Sequence, residues 1–250
     1  MRTLALLVPL FASVALAEQP AAPEVAEGFV LRPAFFTETG SFLAGTAFAV
    51  QEGDRTVVLT AYHLFGPAGG LPAEVPPAEV GKLVREVLLR DAWTDKVVGR
   101  TERALLLEDA APLHTDASRD LVVFPLVKVD PSDVSARLAA AKLRPGKLAT
   151  TAPKVGDPVY VAAEASGVRA AERTFRATLV EVGEGSLYYQ LEAGDLDMTG
   201  MSGAPVLAAD GSILGMHLGG GAMEDGALIG VANPASRIRA RITQALKSRP

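Results

Sequence analysis

Two sets of six short apolar runs, punctuated by glycine, proline and aspartate, constrain this chain more than any other feature. Runs this short and this often interrupted leave no room for long helices, and they fit the antiparallel strands of small barrels. The first set comprises Gly45–Val50, Thr56–Thr60, Leu83–Leu89, Lys96–Thr101, Ala104–Leu107 and Leu121–Leu126. The second comprises Pro158–Ala162, Arg173–Val182, Ser186–Glu192, Ala204–Ala208, Ser212–Leu218 and Ala227–Val231, with Asp210-Gly211 as a tight hairpin turn. Between them, residues 130–146 turn to Ala, Leu, Arg and Lys behind Ser132 or Asp133 as an N-cap, which predicts a short connecting helix. Phe65–Pro77 reads as a loop and Ala78–Lys82 as a single helical turn, both surface insertions. The predicted fold is all-β: two six-stranded antiparallel barrels at about residues 29–128 and 150–232, closed by a C-terminal α-helix at about 234–247.

The N-terminus carries Arg2, an apolar run from Leu4 to Leu16, and Ala15-Leu16-Ala17. This pattern predicts a secretory signal peptide over residues 1–17, cut after Ala17. The apolar run is shorter than the roughly 20 residues that span a bilayer, so no membrane association is expected after cleavage. Residues 18–28, rich in Ala, Pro and Glu without periodicity, read as a flexible linker to a domain covering 29–248. The chain has no cysteine, so an exported protein of this sequence must hold its fold by packing alone. That points to a bacterial periplasmic or extracellular protein and excludes a thiol nucleophile. A net charge of -5 without clustered Lys and Arg argues against a nucleic-acid partner.

The chemistry centres on Gly200-Met201-Ser202-Gly203-Ala204-Pro205. Serine is a weak nucleophile at neutral pH. It needs a histidine to take its proton, a carboxylate to orient that histidine, and backbone donors for the oxyanion. His63 ends the strand-like run Thr56–Thr60 in Thr60-Ala61-Tyr62-His63, a rigid mounting for a base. Asp120 stands directly before Leu121-Val122-Val123-Phe124 and is the favoured orienting acid, although Asp109 and Asp116 lie in the same loop region. Gly200 and Gly203 flank the serine, so the N–H groups of Gly200 and Ser202 can converge on one point as an oxyanion hole. The order His, Asp, Ser is that of the chymotrypsin arrangement. An α/β-hydrolase elbow requires glycine where Ala204 stands.

With these residues in place the sequence resembles the trypsin-like, chymotrypsin-fold serine peptidases, in particular the disulfide-free bacterial branch with HtrA-type proteases and glutamyl endopeptidases. Gly45-Thr46-Ala47-Phe48 with Leu59-Thr60-Ala61-Tyr62-His63 resembles the family's first-barrel strand pair. Asp120-Leu121-Val122-Val123 resembles its acid motif, and the segment around Ser202 its nucleophile motif. The resemblance implies a His63, Asp120, Ser202 triad, a protein or peptide substrate, an acyl-enzyme intermediate and no cofactor. Where trypsins carry an aspartate before the serine to receive a freed N-terminus, this chain has Met201, so activation through that salt bridge is not expected.

Gly215-Met216-His217-Leu218-Gly219-Gly220 resembles the stretch with which glutamyl endopeptidases line their specificity pocket, which implies His217 and Gly219 as substrate-binding residues. Asp197 falls where those enzymes use a hydroxyl residue, and a carboxylate there repels an acidic substrate. His114 reads as a solvated loop residue, and three scattered histidines lack the spacing of a zinc site. Two other functions stay open at this point: a pseudoprotease that keeps the barrels as a binding scaffold, and an esterase with the same chemistry. Oligomeric state is not encoded in any of these motifs.

Overall fold

The computed structural model describes residues 20–105, 107–165, 172–194 and 196–247, so the expected signal peptide lies outside the described residues. The N-terminal half forms seven strands: β1 (Val30–Phe36), β2 (Ser41–Leu43), β3 (Ala47–Glu52), β4 (Arg55–Thr60), β5 (Glu86–Asp91), β6 (Val97–Arg100) and β7 (Val122–Pro125). Their order is β6-β5-β1-β3-β4-β7, with β2 on β1. Two isolated antiparallel bridges, Thr101 to Leu126 and Leu105 to Val123, carry the chain beyond β6 along β7 and draw the ends of the sheet together. The second half forms a closed barrel in the order β10-β13-β12-β11-β8-β9. Its strands are β8 (Pro158–Ala162), β9 (Thr174–Val182), β10 (Leu187–Leu191), β11 (Pro205–Leu207), β12 (Ile213–Ala222) and β13 (Leu228–Pro234). Helices α1 (Pro77–Leu83), α2 (Val134–Ala140) and α3 (Ala235–Lys247) complete the chain. Asp133 caps α2 by accepting from the Ala136 N–H at 2.9 Å.

The two halves differ from the sequence expectation in the first sheet. Ala104–Leu107 contributes only the Leu105 bridge, and the six-strand path is completed by β1, which has a proline at its centre. A proline cannot donate to a ladder. Pro33 is tolerated because β1 pairs with β3 through Val30 and Leu31 and with β2 through Ala34 to Phe36, so it falls between those two partners.

Strands β3, β4 and β7 are buried on both faces. Ala47, Ala49, Val58, Val122 and Phe124 point into the first core. Phe48, Val50, Val57, Leu59 and Val123 join Tyr160, Leu207, Ile213, Met216 and Ile238 in a shared core between the barrels and α3. Double burial explains why these strands read as unbroken apolar runs rather than alternating ones.

Residues 20–28, read as a linker, lie against both barrels. Val25 is buried, Tyr160 donates to the Pro20 carbonyl at 2.7 Å, and Arg173 donates to the Val25 carbonyl at 3.0 Å while its guanidinium covers the Trp93 ring. The Gly28 N–H donates to Asp91 at 2.7 Å. Asp91 is wholly buried and also accepts from the Trp93 and Thr94 N–H groups and the Thr94 hydroxyl. Burial alone would raise its pKa, but these donors outweigh it and hold the carboxyl below the ordinary 3.8. Asp91→Ala strands three backbone donors, and we expect a loss of about 3 kcal/mol in urea unfolding at neutral pH. Because the folded pKa is depressed, this contribution is complete above about pH 4 and is lost as pH falls further. Equal stability of parent and variant at pH 7 would contradict the assignment.

Candidate active site

The register Thr60 to Val122 aligns the ends of β4 and β7, so the residues just beyond Thr60 face those just before Val122. Past β4 the chain makes a tight helical turn, Tyr62–Phe65, and His63 sits on it. Before β7 a matching turn, Ala117–Arg119, is opened by Asp116, which accepts from the Ser118 N–H at 2.9 Å and delivers Asp120 to the same place. One Asp120 oxygen lies 2.6 Å from His63 Nδ1 and the other accepts the His63 backbone N–H at 3.0 Å. Asp120 is fully buried and His63 half-buried, so the carboxylate is fixed and the far edge of the ring faces outward. Asp109 pairs instead with Arg241 at 2.7 Å, and Asp116 is spent on Ser118 and Arg119. Neither makes a hydrogen bond to His63 among the described residues.

Ser202 comes from the second barrel, on the loop that enters β11. Gly200 and Gly203 both adopt left-handed backbone, at φ 86° and 91°. A side chain at Gly203 would also strike the Thr46 carbonyl, 2.0 Å from the Cβ position. The peptide planes from the Gly200 carbonyl to the Ala204 N–H are each anchored. The Met201 N–H donates to the Met198 carbonyl at 3.1 Å, the Ala204 N–H to the Met201 carbonyl at 2.8 Å, and the Gly203 N–H to the His217 carbonyl at 2.7 Å. The N–H groups of Gly200 and Ser202 have no acceptor among the described residues. Met201, the departure noted from trypsins, is completely buried in the second core beside Leu196, Val206 and Leu214. The Ser202 hydroxyl donates to the Leu218 carbonyl at 3.1 Å and is not hydrogen-bonded to His63. The segments that carry them nevertheless approach each other: a Cβ at Gly45 would meet both the Leu64 side chain at 2.5 Å and the Ser202 carbonyl at 2.6 Å.

The residues read for specificity do not form one cluster. His217 is fully buried, with Nδ1 2.5 Å from the Tyr189 hydroxyl and Nε2 lacking a partner among the described residues. Burial, with a smaller contribution from nearby His63, pushes its pKa down to about 3, so the imidazole is neutral at neutral pH. Burial pushes the Tyr189 hydroxyl up. Asp197 is exposed and accepts from the Thr199 N–H at 2.9 Å, while Gly219 is half-buried beyond a bulge in β12. Nothing in the sequence singles out Tyr189, and Thr46 and Thr60 stand there only as parts of a motif, without a role. Beside Gly200 a cavity of about 360 Å³ runs between the barrels, lined by Thr46, Leu43, Thr199 and the ion pair Arg32 to Glu164 at 3.2 Å.

The family model for the trypsin-like peptidase domain matches residues 45–216, from the strand before His63 to the strand behind Ser202. The chain belongs to the trypsin-like peptidases. No curated protein matches it in sequence. Among solved structures, this trypsin-like peptidase is similar to the active form of the Rv3671c protease from M. tuberculosis, with a TM-score of 0.53 and 17% identity over 96% of this chain and 93% of the other. It is similar to the serine endoprotease from Yersinia pestis, with a TM-score of 0.54 and 15% identity over 89% of this chain and 64% of the other. Kallikrein-related peptidase 10 gives a TM-score of 0.56 and 16% identity over 89% and 97%. At these identities the structures support the chymotrypsin-like fold, and the trypsin-like peptidase has that fold without any cysteine.

Proposed function

We propose that this trypsin-like peptidase is a secreted serine endopeptidase in which Ser202 is the nucleophile, His63 the base and Asp120 the residue that orients it. The observation that carries the reading is the pairing of a buried Asp120 with His63 Nδ1, together with a Ser202 loop whose Gly200 and Ser202 N–H groups have no acceptor among the described residues. An ionised carboxylate accepts hydrogen bonds only, so it keeps the proton on Nδ1 and leaves Nε2 free to take one from Ser202. For this transfer the hydroxyl must turn from the Leu218 carbonyl toward Nε2. As Ser202 Oγ bonds to the substrate carbonyl carbon, its proton passes to His63, and the oxyanion accepts from the Gly200 and Ser202 N–H groups. His63 then protonates the departing amine, and water, deprotonated by the same imidazole, hydrolyses the acyl ester and restores Ser202.

A neutral, sealed His217 offers no positive charge to an acidic side chain, and the reading therefore carries no glutamyl preference. Export rests on the Arg2, Leu4–Leu16 and Ala15-Leu16-Ala17 pattern. A fluorophosphonate probe is expected to label the protein at neutral pH and to fail on Ser202→Ala. An unlabelled parent protein would favour the binding-scaffold alternative, and a labelled one that cleaves simple esters but no peptide would favour an esterase.

A further inference from the structure

From the hydrogen bonds that cross the cleft we infer that Thr46, on the first barrel, is the positioning residue that keeps the oxyanion loop of the second barrel formed. The inference rests on the peptidase reading of Ser202 and assigns a residue that reading does not use. Thr46 is 4% exposed and grips the loop at two points. Its backbone N–H donates to the Ser202 carbonyl at 2.8 Å, and its hydroxyl donates to the Gly200 carbonyl at 2.8 Å. The Gly200 carbonyl and the Met201 N–H belong to one peptide plane, and the Met201 N–H is held on its other side by Met198. With both ends engaged that plane cannot rotate, and it fixes the left-handed Gly200 on which the direction of the Gly200 N–H depends.

The next plane is fixed in the same way. The Met201 carbonyl takes the Ala204 N–H, so the Ser202 N–H, at the opposite end of that peptide, is turned away from it. The direction of the Ser202 N–H, and the left-handed turn at Gly200 from which the Gly200 N–H projects, therefore rest on bonds that do not involve substrate. Thr46 is itself held: its carbonyl accepts the Thr60 hydroxyl at 2.7 Å, and the missing side chain of Gly203 lets that carbonyl approach the loop. Thr60 lies three positions before His63. A single relay thus runs from the strand that carries the base, through Thr46, to the loop that carries the nucleophile. Met201 puts an apolar anchor where a charged one would need a partner, and Thr46 supplies the polar restraint from across the cleft. The hole is built from neutral hydrogen bonds between the barrels and needs no freed N-terminus.

The test compares Thr46→Val, which keeps the shape and the backbone N–H but removes the hydroxyl, with Thr46→Ser, which restores it. Thr46→Val is expected to lower kcat on a peptide substrate by 10- to 100-fold, below the 10²- to 10³-fold loss typical of deleting a donor outright, with KM within about twofold. Affinity for a peptide boronic acid, whose tetrahedral adduct places an oxygen in the hole, should fall in parallel, and Thr46→Ser should recover most of both. Hydrogen exchange in the peptide covering residues 198–204 should accelerate in the valine variant alone, which reads the restraint without turnover. Unchanged kcat in Thr46→Val, a serine variant no better than the valine one, or unaltered exchange would each overturn the role. If the parent protein neither takes a fluorophosphonate label nor cleaves peptides, the peptidase reading fails. If parent and Thr46→Val are equally active, that reading stands and only the role of Thr46 falls.

Discussion

Replacement of Asp120 by Asn is expected to lower kcat by about 10⁴ while leaving the fold and KM nearly unchanged. The substitution is almost isosteric, and the amide oxygen can still accept the His63 backbone N–H that Asp120 now holds at 3.0 Å. The amide nitrogen then faces Nδ1, 2.6 Å from the present carboxylate oxygen, and it can only donate. Nδ1 must accept, the ring proton moves to Nε2, and the imidazole presents a donor to Ser202 where it should present a lone pair. The loss arises from the tautomer, with the group geometry otherwise preserved. Asp109→Asn serves as the contrast. It breaks the pair with Arg241, whose Nε and Nη2 are already buried without partners among the described residues, so it should cost stability and spare kcat. Steady-state kinetics with thermal unfolding of both variants checks the assignment. Comparable kcat losses in the two would show that Asp120 has no special relation to His63.

The same residues show what the sequence could reveal. His63 and Asp120 were legible because each stands at the mouth of a strand buried on both faces, and such strands are continuous apolar runs in any register. Ser202 was legible because two left-handed positions in four residues leave two glycines in the text. Strand β1 was not, since Pro33 reads as a strand breaker until one sees that it falls in the gap between two partners. Residues 20–28 looked like a linker because proline and alanine carry no periodicity. What holds them, a buried Val25, the Gly28 N–H on Asp91 and backbone carbonyls taken by Tyr160 and Arg173, leaves no local pattern. Thr46 was quoted as part of a motif without its role, because its hydroxyl meets a carbonyl 154 residues away. Tyr189 meets His217 across 28 residues, with β13 between their two strands. Local propensity reports which backbone a residue prefers, and neither of these contacts depends on that preference.

The buried His217 sets the second large effect, which is on stability in acid. Its folded pKa of about 3 lies well below the ordinary 6.5, so between those values the unfolded chain binds a proton that the folded one refuses. Stability from this group is therefore complete above pH 6.5 and declines as pH falls toward 3, by on the order of 5 kcal/mol in all. A domain of this kind is commonly stable by only about 5–15 kcal/mol, so one histidine can decide whether it survives acid. The groups around it offer no relief: Tyr189 holds its own proton, and His63 adds repulsion when charged. The double variant Tyr189→Phe/His217→Leu removes the titrating group without stranding the tyrosine hydroxyl. The difference in unfolding free energy between parent and variant, measured from pH 7 to pH 3, should shift steadily against the parent, whatever its value at pH 7. Parallel curves would mean that the folded barrel accommodates the imidazolium. Because the His217 carbonyl holds the Gly203 N–H, protonation of His217 also strikes the strand on which the Ser202 loop hangs. Acid should thus loosen the Ser202 loop through the second barrel, and the double variant should lose this structural part of the acid response.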